Sequence, residues 1–411
     1  MKKYTMRFVL DFILGFIACL FRVLFAWIPR NKKKWVFSAH TSFRDNPKYL
    51  FLSANESHKE IRAIWISHNH PDVYSLKAKG FEAYFWLSFQ GIYHTLTAKV
   101  FISDHQIRDV NMYLSGGVFY VNLWHGVGIK KVRWQAPEFY VWEFSLKNER
   151  EMRTSFIFRM LNYSELFIRP DLLLSPSEQQ MRLFYAQMLD VNYDRCLMGI
   201  PPRSRLLIEG KERARQFIKK YEPEDTLHLI EKLKKYKKVY IYMPTWRSHK
   251  NNFVEEAEID WDKLSIALKK NNAILLLRLH MFTKMDLSCI NKYDNIIEYP
   301  RKSDIYTVLP FTDCLITDYS SIYTDFLTMN KETILFIYDY DRFIGESHTL
   351  EDYEKYYLGT KAYNFNQLVE LIASNQDCHI PKDKYDYLMQ FFWDNNSHDI
   401  DIVEEIKKRL N

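Results

Sequence analysis

Several apolar runs of the chain end in residues that can handle protons or anions. The run VFYVNL leads into Trp124, His125 and Gly126, followed by Val127, Gly128, Ile129, Lys130 and Lys131. An imidazole in such a turn titrates near neutrality and can serve as a general base. The glycines beside it let a substrate approach the backbone. The run ILLLRLH closes on His280, with Arg278 two residues earlier, and VYIYMPTWR closes on Pro244, Thr245, Trp246 and Arg247. In CLITDYSSIYTDF, a buried strand over Cys314–Thr317 runs into Asp318, Tyr319, Ser320 and Ser321 and then a helical pattern through Ile322, Phe326 and Met329. Ser320 and Ser321 fall at the expected helix start, where free backbone N–H groups and the helix dipole favour an anion. Each feature also has a plain structural reading: a strand-end histidine, a surface arginine, a helix cap.

Taken together, these residues suit a diphosphate held electrostatically while a base removes the proton from an attacking hydroxyl. The sequence holds no G-x-x-x-x-G-K-[ST], no G-x-G-x-x-G and no G-x-S-x-G. A P-loop kinase, a dinucleotide oxidoreductase and a serine hydrolase therefore lose ground, as do the common metal-dependent sugar transferases, whose Asp-x-Asp is not expected here. Five cysteines lie far apart with no C-x-x-C, which encodes neither a disulfide framework nor a zinc motif and fits a reducing compartment.

These residues must be positioned by a folded body. With 411 residues, 47% hydrophobic and 26% charged, and only 11 Gly and 13 Pro, the chain has ordinary globular composition and room for two or three domains. A mean hydropathy of −0.33 excludes a polytopic membrane protein. Short β-branched and aromatic runs alternate with helical patterns in two sets. The first covers Trp35–Ala39, Ala63–Ser67, Glu82–Phe85, Lys99–Ser103, Val118–Leu123 and Leu172–Ser175; the second covers Lys238–Met243, Ala273–Leu279, Asn295–Tyr299, Cys314–Thr317 and Thr333–Tyr338. Nearly continuous apolar strands between helices predict parallel, doubly wound sheets. The fold class is α/β, with two Rossmann-like domains facing a central cleft. The expected domains are 1–34, an N-terminal helix; 35–200 and 201–365, the two Rossmann-like domains; and 366–411, closing helices that end with Ile402–Leu410.

The net charge of +6 is concentrated at the start. Residues 1–34 carry eight basic side chains against the single Asp11, leaving the rest of the chain at −1. That distribution favours an anionic membrane surface and speaks against nucleic acid. The segment Phe8–Ile28 is apolar apart from Asp11 and Arg22, which share one face with Gly15 and Ala18. Basic residues flank both ends, so an in-plane amphipathic anchor is favoured over a span, with a docked soluble helix as the plain alternative.

The chain resembles the CDP-glycerol glycerophosphotransferase family, the teichoic-acid primases and polymerases of GT-B fold. The resemblance rests on DNPKYL (Asp45–Leu50), LWHGVGIKK (Leu123–Lys131), MPTWR (Met243–Arg247) and TDYSSIYTDF (Thr317–Phe326), the last preceded by DIYTVL (Asp304–Leu309). It covers residues 35–345. Val127 and Gly128 stand where the family usually has Thr-Pro, Met281 where it has Pro, and Gly199–Ser204 shifts its G-x-P-R-N-D by one residue. The resemblance implies transfer of glycerol phosphate or ribitol phosphate from a CDP-alditol to a hydroxyl of a lipid-linked saccharide or growing teichoic-acid-like or capsular polymer, with release of CMP. It implies catalytic roles for His125 and His280. Donor contacts fall to Thr245, Arg247, Arg278, Asp318, Ser320 and Ser321, and acceptor contacts to Asp45, Asn46 and Lys130. No cofactor and no metal held by a dedicated carboxylate cluster are implied, and the cytoplasmic face of a bacterial membrane is the expected location. Two alternatives stand beside it: a GT-B glycosyltransferase using a nucleotide sugar for cell-surface polysaccharide, and a catalytically silent scaffold.

Overall fold

The computed structural model describes residues 13, 16–40, 42–128, 168–245, 253–280, 283, 286–301, 303–346 and 353–411. The chain divides into two compact units. One comprises residues 1–125, 131–203 and 396–411; the other comprises 126–130 and 204–395.

In the first unit, strands β1 (Asn31–Phe37), β2 (Arg62–Ser67), β3 (Ala83–Phe85), β4 (Ala98–Ser103), β5 (Phe119–Asn122), β6 (Leu172–Ser175) and β7 (Cys196–Met198) form one sheet in the order β3-β2-β1-β4-β5-β6-β7. Every pairing is parallel. In the second unit, β8 (Lys238–Met243), β9 (Ala273–Leu277), β10 (Ile296–Glu298), β11 (Cys314–Thr317), β12 (Glu332–Phe336) and β13 (Thr360–Ala362) form a parallel sheet in the order β10-β9-β8-β11-β12-β13. Both are doubly wound. The chain starts each sheet in the middle, builds one side, then returns to build the other. The switch points, where ligands bind in such sheets, fall between β1 and β4 and between β8 and β11.

The strands are apolar because both faces are covered. All five residues of β9 and all four of β11 are buried. The first core gathers Val36, Ile64, Ile66, Phe101 and Tyr120, and the second Tyr240, Leu275, Leu277, Ile316 and Phe336. The expected and observed strands agree to within a few residues. Strand β1 differs most, starting four residues early, within the basic run. Strands β7 and β13 were not expected; three residues at a sheet edge are too few to show a period.

The N-terminal segment is helical over residues 16–25. Ala18 is fully buried, while Phe16, Leu20, Val23, Leu24 and Trp27 are exposed. A Cβ on Gly116 would lie 1.9 Å from the Arg22 carbonyl oxygen, so glycine there permits the helix end to sit against the first unit. Arg30 donates to the carbonyls of Thr95, Ala98, Leu114 and Gly116, and burial lowers its pKa to about 10. Lys34 is also buried; its Nζ lies over the Tyr93 ring and donates to Thr97 Oγ1 at 2.7 Å. Part of the basic cluster therefore holds the first unit together and is not a free cationic surface. Among the described residues no helix is long and apolar enough to cross a membrane.

Candidate active site

One strand beyond the first switch point, the turn after β5 carries His125. Trp124 adopts a left-handed backbone (φ 52°), a conformation that costs a non-glycine residue ~1–2 kcal/mol. Three anchors offset that cost. The indole is buried in a cluster with Leu173, Met181, Tyr185 and Met188. Asn122 Oδ1 accepts from the Trp124 N–H at 2.8 Å, and Asn46 Nδ2 donates to the Trp124 carbonyl at 2.7 Å. The next residue, His125, is thereby aimed. Its Nδ1 donates to the Asp104 carbonyl at 2.9 Å. A carbonyl can only accept, so the proton sits on Nδ1 and the basic lone pair on Nε2.

Asn46 is 1% exposed, and its Oδ1 also accepts from the Arg203 backbone N–H at 3.1 Å. Asp45 has φ 62° and accepts at Oδ1 from both the Asn46 N–H and Arg203 Nη1, each at 2.7 Å. The pair read from sequence as acceptor contacts thus ties the helix Asp45–Ser57 to Arg203 and to the His125 turn. That is a positioning arrangement, with the amide of Asn46 committed to backbone partners.

Around His125 stand groups that sequence reasoning passed over. The His105 ring lies 5.3 Å from that of His125 and 4.5 Å from that of His40. Asp104 is buried, and burial, with the nearby Asp45 and Asp109 carboxylates, raises its pKa well above the ordinary value. His68 Nε2 donates to the Asp109 carbonyl at 2.9 Å, and burial lowers its pKa. The signal for two of these groups is present in the sequence: Asp104 and His105 stand directly after the apolar run of β4, at the same kind of strand end that carries His125.

At the second switch point, Asp318 comes directly after β11 and is fully buried. Its carboxylate accepts from the Thr245 N–H at 2.9 Å, from Thr245 Oγ1 at 2.5 Å and from the Tyr319 N–H at 2.6 Å. Thr317 Oγ1 donates to the Met243 carbonyl at 2.7 Å. Asp318 therefore locks the loops after β8 and β11 together. Tyr357 Oη donates to the Tyr319 and Ser320 carbonyls at 3.3 and 3.2 Å. Ser320 and Ser321 are half-buried. The expected cap is not made: Ser321 caps no N–H of the helix Ile322–Leu327, and the Ile322 N–H reaches Ser320 Oγ only at 3.5 Å.

Arg278 comes directly after β9 with its guanidinium on the Leu279 and Ser303 carbonyls at 3.2 and 3.3 Å, and His280 is exposed at the same strand end. Asp325, fully buried, accepts from Tyr306 Oη and Ser204 Oγ. Thr324 Oγ1 donates to the Val127 carbonyl, two residues past His125 in the chain. Arg247 and Lys130 lie outside the described residues.

The family described as CDP-Glycerol:Poly(glycerophosphate) glycerophosphotransferase matches residues 20–398. The chain belongs to this family. It is 25% identical over 373 residues to the teichoic acid glycerol-phosphate transferase of Staphylococcus aureus (strain NCTC 8325), with 85% of each chain covered. It is 22% identical over 350 residues to the teichoic acid poly(glycerol phosphate) polymerase of Bacillus spizizenii (strain W23), with 82% of each covered. Among other polymerases that it matches, the ribitol-phosphate polymerase TarL of S. aureus and the poly(ribitol-phosphate) polymerase of B. spizizenii are longer; the chain spans 34% and 42% of their length. The structure of the wall teichoic acid polymerase TagF superposes with a TM-score of 0.70 at 21% identity, covering 100% of this chain and 98% of that one. A TagF variant soaked with CDPG gives 0.72 at 22%. These likenesses establish the GT-B-type fold.

As a glycerophosphotransferase of this family, the chain is a transferase in which the family's motifs have distinct physical tasks. The Trp of LWHG anchors the turn, the His is fixed through Nδ1 on the Asp104 carbonyl, and DNP with the Arg of PPR braces the turn. Asp339-Tyr340-Asp341, after β12, is an Asp-x-Asp, a pattern the sequence was expected to lack and that it holds also at Asp260–Asp262 and Asp399–Asp401. It lines a cavity of about 620 Å3 with Glu256, Arg342 and Tyr363. Asp339 accepts from Tyr319 Oη at 3.1 Å and Arg342 at 3.3 Å.

Proposed function

We propose that the protein transfers an alditol phosphate, glycerol phosphate or ribitol phosphate, from a CDP-alditol to a hydroxyl of a membrane-linked saccharide or growing teichoic-acid-type polymer. His125 Nε2 takes the proton of the acceptor hydroxyl. The oxygen attacks the β-phosphorus, the bond from that phosphorus to the bridging oxygen breaks, and CMP departs with that oxygen. The observation that carries this reading is the Nδ1–H···O bond from His125 to Asp104, which leaves the basic lone pair of a family-matched histidine on Nε2.

For the donor, Ser320 and Ser321 supply hydroxyls that helix capping does not consume, and Thr245 and Asp318 shape the loop that carries them. His280 and Arg247 add positive charge against the diphosphate, and Lys130 meets the acceptor; these roles rest on the family motifs. Arg278 supports its strand end through backbone carbonyls. The acceptor is lipid-linked, and the enzyme works at the cytoplasmic face of the membrane. The outward apolar row of Phe16, Leu20, Val23, Leu24 and Trp27 supports peripheral attachment.

The test is incubation with CDP-glycerol, CDP-ribitol and UDP-sugars, followed by mass spectrometry of the products. Release of CMP with a product heavier by one or more alditol phosphates is expected. Sugar transfer from a UDP-sugar with neither CDP-alditol consumed would overturn the reading in favour of a glycosyltransferase. His125→Ala should lower turnover by more than ~100-fold, and unchanged turnover would remove His125 from the reaction.

A further inference from the structure

We infer that His40, His105 and Asp109 of the first unit form a binding site for a divalent transition cation of the Zn2+ class. Three residues past β1 stands His40, two past β4 stands His105, and Asp109 closes the short turn Ile107–Asp109. One ligand atom from each lies within 4.8 Å of the other two. Around a tetrahedral ion with bonds of ~2.0–2.2 Å, donor atoms sit roughly 3.3 Å apart. His40 Nδ1 and Asp109 Oδ1 are already at 3.3 Å. The His105 ring, 4.5 Å from that of His40, supplies the third ligand atom within the same 4.8 Å.

The carboxylate is built in advance. Asp109's side chain is 2% exposed, its Oδ2 accepts from the Gln106 N–H at 2.7 Å, and its backbone carbonyl accepts from Ser38 Oγ at 2.6 Å as well as from His68. Oδ1 is left turned to His40. Such outer hydrogen bonds orient metal ligands and sharpen affinity. The His40 side chain is 44% exposed, which provides an entry path. Three protein ligands also leave a coordination position for a water or a phosphoryl oxygen.

Two other clusters of the same residue types behave differently. Lys407 Nζ binds both Glu60 and Glu404 beside His58, and Lys238 Nζ binds Glu332 beside Asp377 and His379. There a lysine ammonium already occupies the carboxylates. Two imidazoles with one carboxylate select Zn2+, Co2+, Fe2+ or Mn2+ over the oxygen-seeking Mg2+ and Ca2+.

The experiment is titration of the chelator-treated full-length protein with CoCl2, followed by visible absorption and by displacement with ZnCl2. Expected are saturable d–d bands at about one Co2+ per chain, loss of those bands on adding Zn2+, and no heat with MgCl2 in calorimetry. His40→Gln and His105→Gln should each weaken Co2+ and Zn2+ by about 10-fold or more, while His379→Gln leaves them unchanged. Absence of saturable Co2+ and Zn2+ binding, or binding that survives both His40→Gln and His105→Gln, would overturn the inference. His40 is exposed, so its variant decides the matter if His105→Gln fails to fold. The readout is binding, so the outcome is independent of the transfer reaction.

Discussion

At the scale of single residues, the proposed role of His125 as base depends on how the turn at Trp124–His125 is held. Asn46 spends both ends of its amide on that turn and on Arg203. Asn46→Ala should therefore act through His125: kcat for CDP-glycerol falls by about 10–100-fold while its KM stays within about twofold, because a misplaced base loses orientation and not donor affinity. A matching rise in KM would instead make Asn46 a donor contact. The sequence made His125 legible because a lone imidazole after an apolar run needs no partner to be noticed. Asn46 was noticed as an acceptor contact while its bracing bonds were hidden, since its partner Arg203 lies 157 positions away and a buried amide looks the same in sequence as an exposed one. His40, His105 and Asp109 carry no motif spacing, and only the adjacency of β1 and β4 brings them together.

At the scale of elements, the alternation of apolar runs and helices was enough to place eleven of the thirteen strands among the described residues, because burial on both faces leaves a continuous signal. The N-terminal segment was harder to read. Its charges looked like one membrane-directed cluster, yet Arg30 sits among four carbonyls and Lys34 lies under Tyr93. The helix before them has Ala18 inward and Phe16, Leu20, Val23 and Leu24 outward. Removal of residues 1–27 spares Arg30 and β1, and should abolish co-sedimentation with anionic vesicles while leaving the thermal unfolding of the core within a few degrees. Gly116→Val is the complementary probe. Its side chain collides with the Arg22 carbonyl, so limited proteolysis should cut within residues 16–30 faster than in the parent. Equal cutting rates would show that the helix is not seated there.

At the scale of the whole molecule, one winding rule is used twice, and each use places different chemistry at its switch point. The β1–β4 end carries imidazoles and carboxylates, suited to moving a proton; the β8–β11 end carries a locked Asp318 loop with two uncapped serines, suited to gripping phosphate oxygens. If the tasks are divided this way, the two ends must fail differently. A hydrogen bond to a charged oxygen contributes ~1.5–3 kcal/mol, so Ser320→Ala and Ser321→Ala should each weaken binding of CDP-glycerol by roughly 10–150-fold in calorimetry. His125→Ala should leave that affinity within about twofold while turnover collapses. Both serines are half-buried and make no capping bond of ordinary length, so their loss spares the fold and the comparison stays clean. Should His125→Ala weaken donor binding as much as the serine variants do, the imidazole is part of the phosphate cradle and the base must be sought among its neighbours, His105 first.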